Sequence, residues 1–258
     1  MLAFPMSIPD NLRFRLLAAG SHLAVSAAVA ACVALVTLGL WYPGVYGAMA
    51  GGRHLFFLVL AVDVTLGPLL TLVIFDKRKP RAELVRDLAV IGALQLAALL
   101  YGLHTVYIVR PVALVHEGGR FRLVSANDVR VEELPTAREE YRSLSLTGPV
   151  VLGTRSSQSS EERLASLDLA LKGYDVGQRP SYWRPYADSR PAILSEAKPV
   201  TELVVRYPGR GTELEHTLRE LKLQPQQARY LPVVARKDWV AILDAAGDVA
   251  GFAPFDGF

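Results

Sequence analysis

Asp63 is the residue of this chain whose chemistry most needs explaining. It stands near the middle of an apolar run, residues 55–75 (LFFLVLAVDVTLGPLLTLVIF), with Gly67-Pro68 one turn further on. A carboxylate surrounded by hydrocarbon costs several kcal/mol unless it is paired, protonated or hydrated, so such a group faces other protein. Proline has no N–H to donate, and the Gly-Pro step weakens the helix at that point. Neighbouring helices or water must then satisfy the freed backbone groups. The apolar runs also hold His22, in residues 16–40, and Gln95 and His104, in residues 88–109.

All three runs exceed the roughly 20 residues that cross a hydrocarbon core. Laid antiparallel at about 1.5 Å per residue, they put Asp63 about 12 Å and His104 about 8 Å below one surface. His22 and Gln95 lie about 9 and 10 Å above the other. The expected pairs are therefore Asp63 with His104 and His22 with Gln95. Three roles are open to them. They can bind the spans together, with Gly20, Ala24, Ala28, Gly92, Ala93 and Ala97 allowing close packing. Asp63, with Gly67 and Pro68, can instead present a polar site to a partner's helix. A proton or ion path is the third, and one carboxylate gives it little material.

Charge orients the spans. From Arg110 to the end, basic and acidic residues are equal in number, so the formal charge of +3 belongs to the first 109 residues. That removes the basic balance as an argument for nucleic-acid binding. Arg13 and Arg15 precede the first run, and Lys77, Arg78, Lys79, Arg81 and Arg86 separate the second from the third, whereas the intervening loop holds only Arg53. Basic flanks stay cytoplasmic, which places the N-terminus inside and everything after Val109 outside, with Trp41 and Tyr42 as interfacial anchors. The single cysteine, Cys32, precludes an internal disulfide. Val29-Ala30-Ala31-Cys32 resembles a lipoprotein cleavage site, but the apolar run continues for eight residues beyond it, too long for a cleaved signal. An uncleaved span is expected.

Residues 110–258 suffice for one further domain. Strands are expected at 112–115 and 120–125 around a turn at His116-Glu117-Gly118-Gly119, which reads as ordinary surface. Helices follow at 129–134, from Ser159 through the leucines 164, 167, 169 and 171, at 199–205, and from Thr212 to about Leu221. A short strand at 150–152 and closing strands at 230–235, 239–243 and 249–252 complete the pattern. The fold expected is three transmembrane helices (16–40, 55–75 and 88–109, in a membrane domain 1–109), followed by an α+β periplasmic domain (110–258) with a mainly antiparallel sheet. Within it, residues 178–186 (QRPSYWRPY) offer Arg179, Tyr182, Trp183 and Tyr186, types that anchor interfaces. The alternative, favoured here, is that these rings pack on their own sheet.

No catalytic constellation is present in the sequence. There is no phosphate loop, no H-E-x-x-H, no G-x-S-x-G, no C-x-x-C and no histidine spacing suited to a metal. Gly209-Arg210-Gly211-Thr212 fits an anion-binding helix start but is more simply a turn. A non-enzymatic role without metal or cofactor is expected.

The order of motifs is distinctive. His22-Leu23 is followed by Trp41-Tyr42-Pro43-Gly44, Val62-Asp63-Val64-Thr65-Leu66-Gly67-Pro68-Leu69-Leu70-Thr71-Leu72, and Asp87-Leu88-Ala89-Val90-Ile91. Gln95-Leu96, Tyr101-Gly102, Arg110-Pro111-Val112 and Ala126-Asn127-Asp128-Val129 come next. Together they resemble the TfpX/TfpZ group of type IV pilin accessory proteins of Gram-negative bacteria. The likeness is looser in the second half, where Gln178-Arg179-Pro180, Pro185-Tyr186 and Tyr230-Leu231-Pro232 carry it, and the lead 1–11 is longer. The resemblance implies an inner-membrane protein with an outward C-terminal domain that assists the assembly or stability of a cognate pilin, with other pilus-assembly proteins as further partners. It implies no catalytic residues. Pilins of that class resemble one another in having an apolar helix with one acidic residue, which an accessory bundle could shield laterally. A membrane-tethered sensor or transport subunit is the competing reading, and neighbouring genes discriminate the two.

Overall fold

The computed structural model of the chain describes residues 10–51 and 53–258, so most of the 1–11 lead lies outside the described residues. Two compact units are present. One comprises the described part of Met1–Gly39 and Gly52–Tyr107, the other Leu40–Gly51 with Ile108–Phe258.

The first unit is helical. Helix α1 (Asp10–Val36) runs into a π-helical turn, Thr37–Trp41, at the end of the first apolar run. After α2 (Tyr46–Met49), which belongs to the second unit, come α3 (Arg53–Ile74) and α4 (Arg81–Ile108). The stretches Asn11–Trp41, Phe56–Ile74 and Arg81–Ile108 are long and apolar enough to cross a membrane. At the α1 start and α3 end, Asp76 accepts from Asn11 Nδ2 at 3.4 Å and lies 3.6 Å from Arg15. The small residues expected to bring the helices together, Gly20, Ala24, Ala28, Gly92, Ala93 and Ala97, are all exposed, and the close approaches fall at other glycines. Gly20 and Gly92 have nothing within 4 Å of where a Cβ would stand, whereas Gly67 and Gly102 meet Gln95 and Val59.

The second unit is built on an eight-stranded sheet: β1 (Pro111–His116), β2 (Phe121–Ser125), β3 (Val150–Thr154), β4 (Trp183–Pro185), β5 (Lys198–Pro199), β6 (Arg229–Val234), β7 (Trp239–Leu243) and β8 (Val249–Ala253). Their order is β4-β3-β1-β2-β6-β7-β8, with β5 on β6. The sheet is mixed rather than mainly antiparallel. The hairpins β1–β2 and β6–β7–β8 are antiparallel, as their short turns require. However, β3 lies parallel to β1 (Leu114 opposite Val151), and β2 lies parallel to β6 (Phe121 opposite Val233). Long connections permit these parallel joins, and nothing local in the sequence specifies them.

Helices α5 (Ser160–Leu171), α6 (Tyr186–Glu196), α7 (Thr201–Arg206) and α8 (Gly211–Glu220) complete the unit. The helix expected at 129–134 is instead a 3-10 helix, Val131–Thr136. Helix α6 was not expected, because Pro191 lies inside it and proline opposes a helix interior. The helix is held down by Ile193 in the core and by Ser189. The Ser189 hydroxyl lies so close to Gly153 of β3 that no Cβ would fit there.

The sheet is buried on both faces, which explains why β7 reads as an unbroken apolar run. Ala241 and Leu243 face one cluster with Leu114, Phe121, Leu231 and Ile193. Val240 and Ile242 face another with Leu203, Leu214, Leu218 and Phe255. Met49 is a member of the first cluster and is 0% exposed. Its carbonyl accepts from Arg236 N–H at 3.2 Å, and Tyr46 meets Phe252 edge-on at 5.5 Å. The connection after α1 is thus part of the sheet unit's core.

His116 and Glu117 are not surface residues. Gly118 and Gly119, both at positive φ, turn the chain so that both side chains fold inward. His116 Nε2 meets Glu196 Oε2 at 2.9 Å. Glu117 accepts from Arg122 Nε at 2.7 Å and from Gly177 N–H at 2.6 Å.

Met49→Ala should destabilise the sheet unit by about 2–5 kcal/mol, read in the full chain as earlier loss of tryptophan fluorescence on denaturation. Burial lowers the His116 pKa from the ordinary 6.5, against the opposing pull of Glu196. The unfolded ring therefore takes up a proton that the folded ring resists, and stability falls as pH drops below about 6.5. His116→Gln should remove that slope from denaturation midpoints measured across pH 5.5–7.5.

Candidate functional site

The polar groups of the spans form one hydrogen-bonded chain and leave one carboxylate over. Gln95 of α4 donates from Nε2 to the backbone carbonyl of Asp63 in α3 at 3.0 Å. A carbonyl can only accept, so the other end of the amide, Oε1, faces His22 Nε2 of α1 at 2.8 Å as an acceptor. His22 Nε2 must then carry the proton. Nδ1 is left to accept from the Thr71 hydroxyl of α3 at 2.6 Å. Each of these groups is satisfied with the imidazole neutral, as an apolar medium demands.

The sequence places this cluster on one face, since residues 63, 67 and 71 follow at helical spacing. Gly67 supplies the room: a Cβ there would lie 2.1 Å from Gln95 Nε2. Thr71, nearly fully buried, was missed from the sequence. Its signal was its position one turn beyond Gly67, but threonine in a span ordinarily bonds its own helix. Thr65 does so, donating to Ala61 O at 2.8 Å.

His22 and Gln95 are thus brought together, and Asp63 and His104 are not. His104 is exposed on α4, and the Asp63 carboxylate has no hydrogen bond or ion pair among the described residues. Estimated height made them a pair, but the register of α3 on α4, with Gly67 at Gln95 and Gly102 at Val59, sets His104 more than a turn away from Asp63. Gly67 and Pro68 are buried within the helical unit itself. Pro68 also leaves the Val64 carbonyl without its usual donor four residues on. Of the three α3 residues considered for a partner, Asp63 alone keeps a partly exposed side chain.

In the sheet unit, the four candidates of 178–186 pack on their own domain. Tyr182 is 1% exposed, donates or accepts with Ser166 Oγ at 2.7 Å, and has the Arg155 and Arg179 guanidiniums 4.2 and 4.5 Å from its ring centre. Arg179 bonds Glu133 and Ser166, each at 2.8 Å. Trp183 is buried and donates to Gly177 O at 2.8 Å. Tyr186 is half-buried, stacks on Phe121 and donates to Gly247 O, and burial pushes its phenol well above the usual range. A polar cleft of about 490 Å³ beside this cluster is lined by Arg120, Arg155, Ser156, Ser157 and Asp175, among others. Its arginines are already paired, Arg155 with Glu162, which it holds at a pKa of about 2, and Arg120 with Glu117 and Asp175.

Because Gly67 faces Gln95 and Gly20 faces open space, Gly67→Val should break the chain of bonds where Gly20→Val does not. The expected difference is about 1–2 kcal/mol or more, measured as thermal stability of the detergent-solubilised protein.

Residues 10–51, which comprise α1 and the segment that enters the sheet unit's core, match the profile of the family described as Fimbrial assembly protein FimB. Fimbrial assembly proteins of Dichelobacter nodosus serogroups I and E1 are each 32% identical over 93% of this chain and 94% of their own length. The fimbrial assembly protein of serogroups C1 and C2 is 39% identical over 46% of this chain and 90% of its own length. No solved structure matches. With nearly the whole length matched by such relatives, the chain belongs to the FimB family of fimbrial assembly proteins.

Proposed function

We propose that this chain is a non-enzymatic accessory protein of the bacterial inner membrane, of the TfpX/TfpZ kind. In this reading it assists the assembly or stability of a cognate type IV pilin by lateral contact with the pilin's helix and with its head. The observation that carries the reading is the Asp63 carboxylate, left partly exposed and without a partner among the described residues while His22, Thr71 and Gln95 satisfy one another. An intramembrane carboxylate held in such a position calls for a donor from another molecule. The names of the relatives, all fimbrial assembly proteins, supply the class of partner. The basic flanks at Arg13, Arg15 and residues 77–86 support a cytoplasmic N-terminus and a periplasmic sheet domain. The head contact falls to the outer surface of that domain, since Tyr182, Trp183 and Arg179 are occupied internally.

Asp63→Asn and Asp63→Ala should reduce the pilin recovered with the tagged protein several-fold while leaving the protein's own membrane level and thermal stability unchanged. Undiminished pilin recovery would refute the assignment. Loss of the protein itself would make Asp63 a structural residue and refute it equally.

A further inference from the structure

Helix α5 is amphipathic in the wrong sense for a surface helix. The side that meets the rest of the unit is polar. Glu162 accepts from Arg155 at 2.6 Å, and Ser166 bonds Tyr182 and Arg179 at 2.7 and 2.8 Å. The opposite side carries Leu164, Leu167 and Leu171, which are 68, 60 and 83% exposed, and Tyr174 continues the line just past the helix end. A surface helix ordinarily turns such a stripe toward the core. Here the domain has no use for it.

The spacing of the stripe is that of a coiled-coil seam. With Leu164 and Leu171 at a, Leu167 and Ser160 fall at d, while Glu162 and Leu169 fall at f, on the side turned to the domain. The flanking charges select the occupant. Arg163 is at g, and Asp168, five residues on, is at e of the next heptad. In a parallel pair of identical helices these two positions face each other, twice by symmetry. An antiparallel pair would set Glu161 against Asp168 instead, a like-charge contact.

We propose that two copies of this chain associate through a parallel, two-fold pairing of α5, with Leu164, Leu167 and Leu171 in the seam and Arg163 bridging to Asp168 of the other copy. The contact is isologous and closes on itself. Copies confined to one membrane meet at a high effective concentration, which a seam of two heptads needs. The inference does not depend on the role of Asp63.

Cysteine cross-linking of the full chain in native membranes tests it, in a Cys32→Ser background because Cys32 is the only cysteine. Mild oxidation should give covalent homodimers from Leu164→Cys, Leu167→Cys and Leu171→Cys. None should form from Ala165→Cys, exposed on the same helix but off the seam. Adding Arg163→Asp or Asp168→Arg to Leu167→Cys should lower the dimer fraction several-fold, and adding both should restore it. Absence of seam-specific dimers, failure of the double charge swap to restore them, or capture of a pilin instead of a second copy would each overturn the proposal.

Discussion

The hydrogen-bonded chain from Thr71 through His22 and Gln95 to the Asp63 carbonyl is the constraint on which the helical unit depends. Each helix contributes at least one member, so the three apolar segments are fixed in rotation and height by one connected set of bonds. Packing in lipid lacks the hydrophobic drive that assembles soluble cores, and interhelical hydrogen bonds take on part of its role. For a neutral ring the donor and acceptor logic admits one arrangement of protons. That arrangement in turn requires glycine at 67, because the carboxamide of Gln95 occupies the space a side chain would fill. Once these groups have satisfied one another, the Asp63 carboxylate is left over at the rim of the helix contact. Its isolation is a consequence of the network.

The sheet unit uses polar chemistry differently. Its arginines are spent on internal recognition: Arg122 bridges Glu117 and Asp175, Arg179 ties Glu133 to Ser166, and Arg155 clamps Glu162. Buried pairs of this kind are costly unless all their hydrogen bonds are made, and here backbone N–H groups such as that of Gly177 complete them. The segment 178–186 is therefore scaffold. It closes the sheet edge as β4 and anchors α5, turning the polar side of that helix inward and its leucines outward. Meanwhile Met49, from the connection after α1, fills the core of the same unit, so the sheet unit draws on two distant parts of the chain.

Much of this was legible in the sequence, and the failures have physical causes. The three long apolar runs, the hairpins that begin and close the chain of the sheet unit after α4, and helix α5 follow from length, alternation and capping. Depth set His22 and Gln95 level, and in the structure their faces agree as well. Depth failed for Asp63 and His104, because the register in which α3 and α4 meet sets them more than a turn apart and leaves His104 exposed. The mixed sheet was hidden because parallel pairings join segments far apart in sequence. The burial of His116 and Glu117 was hidden because a Gly-Gly turn reads as surface, whichever way its neighbours point. Helix α6 was masked by Pro191, whose local cost is outweighed by tertiary packing. Met49 carries no local signal of burial, and only the assembled core shows its place.

Contact between Asp63 and a pilin can be measured by photo-cross-linking from a reactive side chain at position 63, in cells producing their own fimbriae, with the trapped species identified by mass spectrometry. An adduct with the apolar helix of a pilin is expected. Products confined to this chain's own peptides, such as those containing Gln95 or His104, would contradict it and make Asp63 part of the internal scaffold.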